Sequence, residues 1–98
     1  MTIPQTWTET PGRLAARGIL AGVAEDQQQP NAVRLAALSA IGELEDDLPA
    51  GYALNPVDPA PGSIAQARQL LLDDTDRQPS TRDRLATARA AAQLASES

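Results

Sequence analysis

Asn31-Ala32-Val33-Arg34-Leu35-Ala36-Ala37-Leu38-Ser39-Ala40-Ile41-Gly42-Glu43-Leu44 decides the fold class of this chain. Apolar side chains at Val33, Ala36, Ala37, Ala40, Ile41, Leu44 and Leu48 have the spacing that lines one face of an α-helix. Pro30 precedes the stretch, and Pro49 and Gly51 close it. The spacing predicts a helix from about Pro30 to Asp47. It closes on Glu43, Glu45, Asp46 and Asp47, acids where the helix dipole favours bases.

The flanking sequence has the same character. Residues 1–9 read as an extended arm. Thr10 as N-cap and Pro11 at the first helical position start a helix running to about Gln27. Its inward side is expected to carry Ala15, Ala16, Ile19, Leu20 and Val23. Gly12, Gly18 and Gly22 weaken it, each by about 1 kcal/mol relative to Ala if exposed. Residues 49–62 hold four prolines and two glycines and read as a restricted crossover loop, with Tyr52, Leu54 and Val57 available to pin it. A third helix is expected over about 63–76, with Ile64, Ala67, Leu70 and Leu71 inward. A fourth starts at Ser80, with Asp83 in the capping-box position. Leu85, Ala88, Ala91, Ala92 and Ala95 are expected inward. Alternation of period two is absent throughout. The chain reads as one all-α domain over 1–98: a hairpin at 10–48, the Pro-rich loop at 49–62, and a second hairpin at 63–98. Its architecture is a small four-helix bundle or two stacked hairpins.

Composition sets the core and removes several chemistries. The 98 residues include 19 Ala and 12 Leu; Trp7 and Tyr52 are the aromatics, and Phe is absent. Such a core buries little area per residue and relies on close helix approach or on self-association. Cys and His are absent, which excludes disulfides, thiolate or imidazole zinc sites, and nucleophilic catalysis by Cys or by a Ser–His pair. The 13 Asp and Glu outnumber the 8 basic residues, all Arg, for a net charge of −5. That balance opposes broad phosphate binding. Nearly all the acids fall at helix ends, where water reaches them, so an enzyme is not expected and no cofactor is implied. No apolar run approaches the roughly 20 residues that span a bilayer. Met1-Thr2-Ile3-Pro4-Gln5 lacks the basic-then-apolar order of a signal peptide, so a cytoplasmic location is expected.

The two halves resemble each other. Arg34-Leu35-Ala36-Ala37-Leu38-Ser39-Ala40-Ile41-Gly42-Glu43-Leu44 aligns without gaps to Arg84-Leu85-Ala86-Thr87-Ala88-Arg89-Ala90-Ala91-Ala92-Gln93-Leu94, with Arg, Leu, Ala, Ala and Leu shared. A period near 50 residues suits helical-hairpin arrays. Residues 13–46 resemble a HEAT-type repeat: a helix, the acidic turn Glu25-Asp26, then Val33-Arg34, a small pair, and a Gly42-Glu43-Leu44 ending. The second half departs from that pattern, with Ala92 in place of the Gly and no Val. The resemblance implies a scaffold that presents a binding surface, and no catalytic residue carries over. The same arrangement also looks like segments of small phage packaging proteins.

Function is therefore expected to be non-catalytic protein–protein interaction, with a protein partner or a second copy in a homodimer. Leu35, Leu38 and Leu94 lie off the main stripes and are candidates for apolar surface left over once the bundle closes. Glu43, Glu45, Asp46 and Asp47 form an acidic end suited to steering a basic partner, and Asp73, Asp74 and Asp76 form a second cluster. Both clusters also read as solvated helix ends. Trp7 either packs on the bundle or anchors a partner. Gly18-Ile19-Leu20-Ala21-Gly22 has the small-xxx-small spacing of a close helix–helix contact. The alternative is a nucleic-acid-associated protein using Arg82, Arg84 and Arg89, which the overall charge opposes.

Overall fold

The computed structural model describes residues 9–48 and 56–95. Among them are four α-helices and no strand: α1 (Pro11–Glu25), α2 (Asn31–Glu45), α3 (Ile64–Asp74) and α4 (Thr81–Leu94). A 3₁₀ turn at Thr75–Arg77 links α3 to α4. The all-α expectation holds, and the helices close into a small four-helix bundle. Trp7, Tyr52 and Leu54 lie outside the described residues.

Local chemistry sets most boundaries. Pro11 occupies the first turn of α1, where its missing N–H costs nothing. Ser63 caps α3: its hydroxyl accepts from the Gln66 N–H at 3.2 Å, and the Gln66 side chain accepts from the Ser63 N–H at 2.8 Å. Ser80 caps α4 by accepting from the Asp83 N–H at 3.1 Å. The Asp83 carboxylate does not complete the reciprocal bond of a capping box; it accepts from the Ser80 hydroxyl at 3.0 Å.

Each helix packs on two neighbours, α1 on α2 and α3, and α4 on α2 and α3. Neighbours run antiparallel. Thr10 at the start of α1 bonds Asp74 at the end of α3, and Asp47 beyond the end of α2 bonds Arg82 at the start of α4. The second hairpin is therefore inverted relative to the first, with the end of α2 and the start of α3 at opposite ends of the bundle. Residues 56–62 of the crossover run beside α1, where the Ala60 N–H donates to the Gly18 carbonyl at 2.9 Å. Val57 is half-buried there. A Cβ on Gly22 would lie 2.6 Å from the Ala60 carbonyl oxygen. The Gly18–Gly22 spacing thus seats a loop backbone, correcting the expected helix–helix contact.

The core is thin and regular. One leucine from each helix is fully buried: Leu20, Leu44, Leu71 and Leu94. Each such burial contributes about 1.5–3 kcal/mol. Ala16, Ala37, Ala40, Ala67, Ala90 and Ala91 fill the space between and let the backbones approach. The aligned segments of α2 and α4 repeat in burial as well as in sequence. Ala37 and Thr87, Ala40 and Ala90, and Leu44 and Leu94 are inside, while Leu35 and Leu85 are outside.

The inward face of α4 differs from expectation. Leu85, Ala88, Ala92 and Ala95 are exposed, and the buried residues are Asp83, Ala86, Thr87, Ala90, Ala91 and Leu94. Two polar side chains, Asp83 and Thr87, take inward positions that a reading of apolar spacing leaves to solvent. The Thr87 hydroxyl is satisfied within the helix, donating to the Asp83 carbonyl at 2.8 Å. Leu94, expected on the surface, falls on this rotated stripe and is fully buried. Ala15, expected inward on α1, is exposed.

Candidate interaction surface

A buried polar cluster fixes one end of the bundle. Arg13 is fully buried, and its guanidinium donates to Asp47 Oδ2 at 3.0 Å, to the Leu44 carbonyl at 3.3 Å and to Gln78 Oε1 at 3.4 Å. The other Asp47 oxygen accepts from Arg82 Nε at 3.0 Å. Gln78 reaches the other way, donating to Asp74 Oδ2 at 2.8 Å and to the Thr10 hydroxyl at 3.1 Å. Thr10 in turn donates to Asp74. The cluster joins the start of α1, the chain after α2, the end of α3 and the start of α4. Beside it, Arg17 Nε and Nη2 donate to Glu9 at 2.8 and 2.6 Å, tying the residue that precedes α1 onto that helix.

This arrangement corrects the acidic-end expectation. Glu45 and Asp46 are exposed and Glu43 is half-buried, but Asp47 is buried in the cluster. In the second acidic group Asp73 and Asp76 are exposed and Asp74 is buried. Burial pushes the Asp47 carboxyl above its usual range, and a hydrogen bond with Asp83 adds to the rise. Arg13 opposes it by donating to the ionised form. Desolvation wins because the pair is cut off from water. Sequence reading missed Arg13 and Arg17 because an arginine on a helix resembles a solvated one. The available signal was their spacing: Arg13 lies three residues before Ala16 and Arg17 three before Leu20, which puts both on the inward side of α1.

With these polar groups turned inward, α2 and α4 present a different outer face. Leu35 is 62% exposed, Leu38 53% and Leu85 51%. Leu35 and Leu38 line a shallow groove with Asn31, Arg34 and Ala24 of α1, and a Cβ built on Gly42 would meet nothing within 4 Å. At the end nearer the buried cluster, a groove between the two helices is lined by Glu43, Asp46, Asp47, Arg82, Leu85, Ala86 and Arg89. The Arg82 side chain is 60% exposed despite its bond to Asp47. Glu43 and Arg89 make no ion pair among the described residues. Of the expected contact residues, Glu43, Asp46 and the largely buried Asp47 line this groove, Leu35 and Leu38 are exposed on α2 toward α1, and Leu94 is in the core.

Among the described residues no group of three His, Cys, Asp or Glu is placed to hold a metal ion, and no helix is long and apolar enough to cross a membrane. No family model, curated protein or solved structure matches this chain.

Proposed function

We propose that the chain is a non-catalytic protein–protein interaction module whose working surface is the outer face of α2 and α4. One observation carries the reading. The bundle builds its core mainly from alanine and four leucines, yet leaves Leu35, Leu38 and Leu85 more than half exposed on two adjacent helices. Large aliphatic side chains grouped on a small domain mark a contact surface. The charged groups that line the neighbouring groove supply orientation. The non-catalytic part draws support from the buried polar groups. Arg13, Asp47, Asp74 and Gln78 are engaged with one another and lie where they clamp helix ends.

Retention of a binding protein from the source cells on immobilised native chain, compared with Leu35→Glu and Leu85→Glu, tests the reading. Both variants are expected to keep the native circular dichroism spectrum and to lose the binding protein. Equal retention by native and variant chains, or turnover of a substrate by the pure protein, would overturn it.

A further inference from the structure

We infer that residues 56–61 are a second contact surface: a preformed polyproline segment, held on α1, that docks in an aromatic-lined groove of another protein. The inference goes beyond the reading of α2 and α4 and does not depend on it. Pro56, Pro59 and Pro61 have φ fixed at about −65° by their rings. Asp58 and Ala60 each precede a proline, which keeps them extended. Residues 56–60 accordingly form no helix, strand or turn. These constraints leave the polyproline II helix, which repeats about every three residues and makes no internal hydrogen bonds.

Exposure follows that period. Val57 and Ala60 are half-buried, while Pro56 with Pro59 and Asp58 with Pro61 are exposed. One edge of the segment therefore lies on the bundle and two point to solvent. The inner edge is well held. Ala60 packs on the core, and its N–H donates to the Gly18 carbonyl. A Cβ on Gly18 would lie 3.4 Å from the Asp58 carbonyl oxygen, and one on Gly22 2.6 Å from that of Ala60, so the two glycines admit the strap. Outward, Pro56-Val57-Asp58-Pro59 has the PxxP spacing by which proline-rich ligands are read. Proline rings stack on flat aromatic side chains, and a segment already fixed in shape loses little freedom on binding. That chemistry names the partner as a groove of aromatic side chains that takes the two outer edges. Asp58, exposed on one of those edges, makes no ion pair among the described residues. It calls for an Arg or Lys beside the groove.

NMR titration of the full chain with purified SH3, WW and EVH1 domains, each chosen with an Arg or Lys beside its groove, tests the inference. The amides of Val57, Asp58 and Ala60 report on the segment. At least one domain is expected to shift them, with a Kd of about 1 mM or tighter. Pro56→Ala and Pro59→Ala, both at exposed positions, should keep the native circular dichroism spectrum and weaken that binding by about tenfold or more. Asp58→Lys should weaken it by about threefold or more. Leu35→Glu should bind as the native chain does. Amides unmoved by every domain up to about 1 mM, or equal binding by the native and Pro59→Ala chains, would overturn the inference. Loss of binding in Leu35→Glu would move the contact to α2 and overturn it as well. Failure at the strap leaves the reading of α2 and α4 standing, because Leu35→Glu and Leu85→Glu test that surface separately.

Discussion

Arg13 and Asp47, 34 positions apart in sequence, form a 3.0 Å ion pair with side chains 0% and 2% exposed. The pair sits at the end of the bundle where all four helices are tied. Two buried charges are costly to desolvate, and removal of one leaves the other uncompensated. Arg13→Met is therefore expected to lower stability by about 3–5 kcal/mol, read as a fall in the urea midpoint. Replacing both, as Arg13→Met with Asp47→Leu, should recover much of that loss, because the second charge goes with the first.

The state of Asp47 gives a pH dependence of defined sign. Its folded pKa is raised above 3.8 by burial and by the bond with Asp83. Between 3.8 and the raised value, the folded chain holds a proton that the unfolded chain has lost. The Asp47 contribution is thus fully present below the unfolded value and is lost as pH rises through the folded one. Asp47→Asn mimics the protonated form and lacks this dependence. Urea melts at a series of pH values should show Asp47→Asn gaining on the native chain as pH rises above about 4. A constant difference would contradict the assignment.

Glycine substitutions separate the packed positions from the open one. A Cβ at Gly22 meets the Ala60 carbonyl oxygen at 2.6 Å, and backbone cannot give way cheaply. Gly22→Ala should destabilise by about 1–3 kcal/mol. Gly42→Ala meets nothing within 4 Å and sits inside α2. It should stabilise the folded monomer by about 0.5–1 kcal/mol through helix propensity. Thermal melts at low protein concentration check both signs.

The paired leucines of α2 and α4 make a third contrast. Leu44 and Leu94 are fully buried at equivalent positions, so Leu44→Ala and Leu94→Ala should each cost about 2–5 kcal/mol. Leu35 and Leu85 are equivalent and exposed. Their change to Glu should stay within about 0.5 kcal/mol in the monomer. Chemical denaturation of the four variants reads the contrast directly.

Much of the fold was legible because Pro11, Pro30, Ser63 and Ser80 punctuate the helices, and their effects are local. Periodicity identified the inward side of α2, and of α3 as far as Leu71, because Ala37, Ala40, Leu44, Ile64, Ala67 and Leu71 are apolar; the buried Asp74 closes the α3 stripe with an acid. It failed on α4, where Asp83 and Thr87 point inward and Leu85 points out. Helix propensity and spacing hold no information about a partner 34 residues away, so the Arg13–Asp47 pair and the burial of Asp74 were beyond reach. Leu35 and Leu38 were recognisable as surface because they leave the α2 stripe. Leu94 was misplaced with the rest of α4.

Backbone amide shifts followed by two-dimensional NMR of the labelled chain, alone and with the protein retained on immobilised native chain, test the proposed contact surface most directly. Amides of Leu35, Leu38 and Leu85 should move together on addition, while those of the exposed Ala15 on α1 and Gln69 on α3 hold still. A spectrum that does not change on addition, or changes confined to α1 and α3, would contradict it.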